Sequence, residues 1–554
     1  MTDDRAEAAL RRQERLAERR AVWESHWREI AERVLPRQAD FDGDRPAGAK
    51  RTDKIFDSTA PLALERFAAA MEGMLTPRAQ RWHHLRAGDT ALNDRDDVRR
   101  WFARAEDALF QERYSPEANY ASQQHEVYMS LGAFGSGVLF VGETARGGVR
   151  YRAIHLAECY FDEDSQGRID TAFRRFRLNA RQAAQEWGAD ALPPALRRAL
   201  DQEPDRRFEF VHAVFPRAGK DKAGGGGAEA MAFVSRYVSL EGRALVHEGG
   251  FEEFPYAISR YVTAPREVYG RSPAMQVLAD IKMLNEMART TLRAAHKAVD
   301  PPLLVADDGV MSRINTRPNA LNFGGLGSRG QALVQPLATG ANVPLGLEME
   351  NQRRRVINDA FLVTLFQILV EQPAQTATEA LIRAQEKGVM LSPTLGRQQA
   401  EALGPMIARE VGILLRAGRL PRPPDALLAD GDIEIEYASP LSRAQRAEEA
   451  VGVMRVMEAA GALAQVDPGV FDHLDTDAAI RAVAEAHGAG KLLRGRDEIA
   501  ARRADRERAN ALDQFAAAAP SLAGALKDTA AAGAAARDLS PEVAGPIAQA
   551  LGGR

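Results

Sequence analysis

Residue types and spacings that suggest metal, nucleotide or acid–base chemistry occur at four places, and each falls short of that chemistry. Asp162-x-Asp164-x-Gln166-Gly167 begins as a calcium loop does, with oxygen ligands at alternate positions and a glycine at the sharp turn. The twelfth position is Phe173, where a bidentate glutamate is required, so the stretch reads as a tight turn between strands. Gly488-Ala489-Gly490-Lys491 carries the lysine of a phosphate-binding loop. Leu492 stands where a Ser or Thr must hold magnesium, and the upstream glycine is missing. His83 and His84 are adjacent, so on a helix or strand their rings diverge, and they read as surface or packing residues. No other His or Cys has zinc spacing. Asp40, Asp42 and Asp44 lie in a charged, glycine-containing stretch and read as a solvated loop rather than an acid–base pair. The chain is therefore read as a non-enzyme, with no cofactor and no metal.

The elements that carry these residues belong to a chain of 554 residues, enough for several domains at about 100–200 residues each. A hydrophobic share of 45% and a charged share of 27% are those of a globular protein. The single cysteine, Cys159, excludes an intramolecular disulfide and fits a reducing compartment. The first twenty residues lack the apolar centre of a signal peptide. The best apolar run, Ala360 to Val370, is about half of the roughly 18 residues a membrane span needs, and it contains Gln367. A soluble cytoplasmic protein is expected. Net charge is −4, whereas a nucleic-acid clamp carries a basic excess, so any DNA contact here is expected to be local or non-adhesive.

Helical spacing predicts Ala6–Val34, Pro61–Met74 behind a Ser58 cap, Asp97–Phe110 and Pro116–Phe134. Strands are predicted at Val138–Val141, Val149–His155, Ile169–Phe176, Arg207–Phe215, Met231–Ser239 and Tyr256–Val262, with a short helix over Ala180–Trp187. The organising stretch runs from Ser272 to Ala417. A Ser-Pro start opens a helix to Val299, and Asp300-Pro301-Pro302 stops it. A Gly/Pro/Asn-rich insert follows from Leu303 to about Gly346. A second helix begins near Leu347 and ends at Gln372-Pro373, and a third starts at the capping box Thr376-Ala377-Thr378-Glu379. Ile433 to Tyr437 alternates as a half-exposed strand, with Ser442 and Asp475 as caps of two later helices. A third late helix runs from Asp497 through Arg508. From about Ala516 onward the chain is Ala/Gly-rich without a steady apolar stripe, compatible with helix and with disorder alike.

Four local patterns in this order resemble the head-to-tail connector, or portal, proteins of short-tailed bacteriophages. They are Ile55-Phe56-Asp57-Ser58-Thr59-Ala60 with Gly73-Met74-Leu75-Thr76-Pro77; Arg266-Glu267-Val268-Tyr269-Gly270-Arg271-Ser272-Pro273; Thr376-Ala377-Thr378-Glu379; and Tyr437-Ala438-Ser439-Pro440-Leu441 with Arg443-Ala444-Gln445. Together they span roughly Leu35 to Arg508. The resemblance implies a mainly helical α+β fold with wing, helical stem, clip and helical crown. It further implies a ring of twelve copies at one capsid vertex, through which double-stranded DNA passes in packaging and ejection. Implied partners are the large terminase, head–tail adaptor and tail proteins, and the major capsid and scaffolding proteins, with no membrane. On this chain residues 1–271 correspond to the wing, 272–299 and 347–371 to stem helices, and 300–346 to the clip. Residues 372–375 correspond to the channel loop, 376–417 to the long helix, 418–508 to a wing strand and crown helices, and 509–554 to an Ala-rich tail. The alternative is another structural virion or scaffolding protein without a DNA channel.

The same resemblance places two sets of candidate residues. Lys282, Arg289, Arg293 and Lys297 recur at spacings of seven, four and four and share a helix face. That face is either turned to DNA or solvated. Gln372, Pro373, Ala374 and Gln375 would meet DNA through contacts without sequence information. Clip docking falls to Asn315, Arg317, Asn319, Asn322 and Arg329. A helix of about 27 residues rises roughly 40 Å, enough for the wall of a pore when repeated about an axis, with heterologous interfaces that must close.

Overall fold

In the computed structural model, the structure describes residues 4–41, 48–93, 95–217, 230–305, 314–317, 319–327, 329–337, 343–364, 393–430, 432–437, 440–465, 467–486, 493–494 and 498–510. The chain divides into two compact units, residues 1–89 with 101–445, and residues 90–100 with 446–554.

The first unit opens with α1 (Asp4–Val34), whose buried stripe runs Ala6, Leu10, Gln13, Leu16, Arg20, Trp27, Ile30 and Val34. Next come α2 (Thr59–Leu75) and β1 (His83–Ala87). α3 (Thr90–Asn93) lies in the second unit, where α4 (Asp96–Arg113) begins, and α5 (Tyr120–Phe134) follows. β2 (Ser136–Glu143), β3 (Val149–Ile154) and the later β9 (Tyr256–Arg260) form a three-stranded antiparallel sheet in the order β3-β2-β9. β4 (Cys159–Glu163), β5 (Ile169–Asn179), β6 (Arg207–Pro216), β7 (Phe233–Ser239) and β8 (Ala244–Phe251) pair in sequence as a five-stranded antiparallel sheet. β6 reads as a nearly continuous apolar run because both faces of this sheet are covered. Val211 and Ala213 pack with Ala6, Leu10 and Leu16 of α1. Phe208 and Phe210 point the other way, against α6 (Ala180–Trp187) and α7 (Pro194–Gln202).

The long central stretch is less regular than its spacing predicts. Ser272 Oγ caps Met275 N at 3.0 Å, but the short α8 (Pro273–Gln276) breaks at Val277 before α9 (Leu278–Val299) begins. β10 (Leu303–Val305) and β11 (Val334–Pro336) pair as a small ribbon. α10 (Val343–Ala360) starts four residues before Leu347 and ends at Ala360, where Leu362 takes a left-handed backbone (φ 59°). Thr291 against Gly346, and Asp280 against Arg353, show that α9 and α10 run antiparallel. The third helix, described from residue 393, contains a π turn over Gln399–Leu403 before α11 (Gly404–Arg416). α12 (Asp425–Asp430) leads into β12 (Ile433–Tyr437), which pairs antiparallel with β1.

Other readings need correction. Ser58 makes no side-chain cap; the first free N–H of α2, on Thr59, is taken by Asp57 Oδ1 at 2.8 Å. α5 starts at Tyr120, four residues after Pro116, because Asn119 sits in the left-handed region (φ 58°). The 162–167 motif is the turn between β4 and β5, with Asp164 Oδ1 accepting the N–H groups of Gln166 and Arg168 and Gly167 at φ 79°. Residues 42–47, 224–227, 372–379, 487–492 and 511–554 lie outside the described residues. Those gaps take in Asp42, Asp44, the four-glycine loop, Gln372 to Gln375, the capping box at Thr376, the 488–491 motif and most of the tail.

The second unit contains most of α13 (Pro440–Leu463), then α14 (Thr476–Ala486) and a helix over 498–510. Asp475 Oδ1 caps α14 at Ala478 N (2.9 Å), as its position predicts. Arg503 of the last helix grips both oxygens of Asp477.

Candidate nucleic-acid and partner interface

The candidate cations on α9 fall into two groups. Lys282 Nζ lies 2.6 Å from Glu29 of α1, and Arg289 lies over the Phe56 ring at 5.3 Å. These two are engaged in holding α9 to the rest of the unit. Arg293 and Lys297, one and two turns further on, are exposed and have no ion-pair partner among the described residues. They sit near the C-terminal end of α9, where a cation complements the helix dipole. The triplet Arg353-Arg354-Arg355 separates as its arc requires. Arg353 pairs with Asp280 at 2.8 Å, Arg354 with Asp57 and Glu350, and Arg355 stays exposed without a partner among the described residues.

Between the helices, all five candidate clip residues, Asn315, Arg317, Asn319, Asn322 and Arg329, are exposed. Asn322 does more than offer a polar surface. Its Oδ1 accepts Asn315 N at 2.7 Å and its Nδ2 donates to Asn315 O at 2.9 Å, so the side chain closes the loop as a neighbouring strand would. Asn315 Oδ1 accepts Arg317 N, and Asn319 supplies a left-handed turn (φ 60°). The closed loop holds Leu321 and Phe323 out at 80% exposure each. Spacing gave no sign of this, since two apolar residues in an irregular stretch have no period to read.

The base of the helix pair is set by polar joints. Asn285, buried on α9, accepts the N–H groups of Phe56 (2.7 Å) and Asp57 (3.1 Å) and donates to Ile281 O. Burial opposes the charge on Asp57, but the Thr59 hydrogen bonds and the Arg354 guanidinium hold its carboxyl below the usual range. Arg260, at the end of β9 and buried, donates to both oxygens of Glu401 (2.9 and 3.0 Å). It also donates to Glu163, Val268 O and Gly167 O, joining the π turn to the β4–β5 turn. Tyr437 Oη donates to Gln399 O at 3.0 Å, satisfying one carbonyl at the π turn.

Deeper in the unit, Arg113 meets Glu410 with no exposure on either side chain beyond 1%. Its Nε lies 3.1 and 3.2 Å from the two carboxylate oxygens, and Tyr151 Oη donates to the same carboxylate. Burial disfavours the guanidinium charge, and Glu410 more than offsets it, so the net shift is upward. His83 Nε2 lies 2.8 Å from Arg113 Nη1. Burial and that cation keep the imidazole neutral, well below its ordinary pKa, which settles the histidine pair: His83 is a core residue and His84 a half-exposed partner of Glu106.

The family model described as bacteriophage head to tail connecting protein matches residues 6–492. The chain belongs to this family. It is 29% identical over 474 residues to the probable portal protein of Bordetella phage BPP-1, covering 84% of this chain and 85% of that protein. It is 28% identical over 539 residues to the portal protein of Salmonella phage epsilon15, covering 93% and 95%. A chain from the virion of a native gene transfer agent particle aligns with 78% of this chain and 95% of its own length, at 12% identity and a TM-score of 0.35. Where the resembling motifs fall within the described residues, they act as joints. Phe56 and Asp57 dock on Asn285, and Thr76 Oγ1 meets Tyr128 Oη at 3.1 Å. Gly270 and Ser272 bind back to Ser136 and Ala133, and Tyr437 reaches the π turn. No described helix of the connector is long and apolar enough to cross a membrane.

Proposed function

We propose that this connector is the portal of a short-tailed phage: a ring of twelve copies at one capsid vertex that conducts double-stranded DNA during packaging and ejection. The observation that carries this reading is the family match over nearly the whole chain. The helix pair supports it. α9 and α10 form an antiparallel hairpin fixed at its base, and its exposed surface carries both cations without an ion-pair partner among the described residues and large apolar side chains, among them Leu292, Leu345, Leu347 and Met349. Apolar surface of this extent on a lone chain marks an interaction surface, and copies on either side in a ring bury it. Arg293, Lys297 and Arg355 then face DNA with few phosphates neutralised, which keeps salt-dependent adhesion low.

In this reading residues 1–271 are the wing, 272–299 and 347–371 the stem helices, 300–346 the clip and 372–375 the channel loop. The clip, with Asn315, Arg317, Asn319, Asn322 and Arg329, meets the large terminase during packaging and the head–tail adaptor afterwards. The wing and the helices up to about residue 508 meet capsid and scaffolding proteins. The portal itself is structural, and ATP hydrolysis belongs to the motor. Negative-stain electron microscopy of the purified protein tests this. Rings with an axial hole wider than duplex DNA are expected; compact closed particles would refute the conduit.

A further inference from the structure

Between Ala450 and Leu463, α13 departs from the pattern of a surface helix, which is apolar on one side only. Arg455 and Glu458 are the only charged residues of this stretch, and it has no other polar side chain. At about 100° per residue, Ala450, Val453, Met457 and Ala460 form one stripe, and this stripe is the covered one. Ala450 and Ala460 are buried, and the two between them are half-buried. Every other apolar residue of the stretch is exposed, Val456 at 52% and Leu463 at 58%. A helix apolar on all sides belongs in an interior, yet this one is covered along a single stripe.

The exposed apolar residues fall on two flanks, one on each side of the covered stripe. Val451 and Met454 lie about a quarter turn to one side, and Glu458 continues their row. Gly452, Val456, Ala459 and Leu463, spaced four, three and four, lie about a quarter turn to the other. Arg455 stands between the flanks on the outer side. The flanks differ in shape. Met454 raises the first into a ridge. The second is a shallow groove, where open space surrounds the position that a Cβ on Gly452 would take and Ala459 follows two turns on.

We infer that α13 packs between copies of this chain, with the Val451–Met454 ridge of one copy in the Gly452–Ala459 groove of the next. The inference rests on the ring proposed above. One foreign helix covers one flank and leaves the other in water. Copies related by a rotation cover both with a single contact repeated, because a heterologous interface uses two different patches of the same chain. The shapes point the same way. A two-fold pair sets ridge against ridge or groove against groove and leaves the other flank bare, whereas a ridge seated in a groove is how helices ordinarily pack. Nucleic acid is a poor occupant, since a single arginine over this stretch neutralises few phosphates.

The test cross-links the full chain. Met454→Cys and Val456→Cys place one thiol on each flank, and the native Cys159 is buried. Each variant is assembled alone and in an equal mixture with the other, then treated with a short bis-maleimide. Cross-linked dimers are expected from the mixture and not from either variant alone. Gly452→Leu, added to the Val456→Cys chain, fills the groove while improving helix propensity. It is expected to cut the dimer yield about tenfold with the helix content by circular dichroism retained. Dimers from either variant alone overturn the inference, because the pairing is then two-fold. Rings with an axial hole that yield no dimer from the mixture also overturn it and leave the conduit standing, with another protein or another part of this chain as the occupant. Dimers from the mixture in closed particles without a hole uphold the interface and refute the conduit. A chain that stays monomeric overturns the interface, since both flanks are then stable in water.

Discussion

Gly135 and Gly270 lie backbone against backbone. A Cβ placed on either would meet the other's carbonyl oxygen at a distance no real side chain adopts, and Gly135 is also left-handed at φ 79°. Around them Gly270 N donates to Ser136 Oγ (2.9 Å), Ser272 Oγ to Ala133 O (2.8 Å), and Tyr261 N to Gly135 O (2.9 Å). This crossing seats the start of α8 on the end of α5 and sets where the stem leaves the wing in the portal reading. Gly135→Ala and Gly270→Ala are each expected to cost about 2–4 kcal/mol. Their double mutant should cost less than the sum, since both damage one contact; urea unfolding of the three variants measures this.

The Arg113–Glu410 pair makes a prediction with a sign. Glu410→Leu alone leaves a buried guanidinium without its counter-charge and is expected to destabilise by about 3–5 kcal/mol. Adding Arg113→Met should recover at least half of that loss, because both charges then leave the core together. Thermal unfolding of single and double variants checks the order.

Asn285 is expected to act through the 56–57 backbone. Asn285→Leu strands two N–H groups and is expected to cost about 2–4 kcal/mol. Asn285→Asp keeps the acceptor and should cost less. Limited proteolysis after Lys54, faster in the leucine variant than in the aspartate variant, separates a local release from global unfolding.

Acid lability follows from His212. It lies between Tyr256 Oη (2.7 Å) and Ser235 Oγ (3.0 Å) and stacks on Tyr237 at 4.0 Å. Burial, with Arg174 and His247 adding repulsion, pushes it down from 6.5 to about 3. A depressed folded pKa means that the unfolded chain binds the proton first. The stabilisation is therefore complete above pH 6.5 and is lost as pH falls toward about 3, at up to about 1.4 kcal/mol per pH unit. Stability measured from pH 7 to 4 should fall less steeply in His212→Gln, with His83 left to supply a slope of the same sign.

Arg293→Gln with Lys297→Gln is expected to leave unfolding within about 0.5 kcal/mol of the parent, since neither side chain has an ion-pair partner among the described residues. If these cations face DNA, the pair should change the amount of DNA packaged or retained in assembled particles. An unchanged DNA content in stable particles would assign them to solvent.

Much of the local structure was legible in the sequence because its causes are local. Ser272 and Asp475 cap the helices their positions predict, and Ala180–Trp187 is helical to the residue. Of the stripe that spacing picks out on α1, Leu10, Leu16, Trp27, Ile30 and Val34 are buried, whereas Trp23 is half-buried and Val22 is exposed. The ordered motifs carried the family. What the sequence withheld depends on partners far along the chain. β1 is a strand because His83 to Ala87 pair with Tyr437 to Ile433, and β8 persists through Gly249-Gly250 because β7 holds it. Val277 and Leu362 break helices that helical spacing alone continues. The cationic stripe shows the same division. Spacing put Lys282, Arg289, Arg293 and Lys297 on one face, but only the fold, by bringing Glu29 and Phe56 against the first two, decided which charges are spent on holding the molecule together.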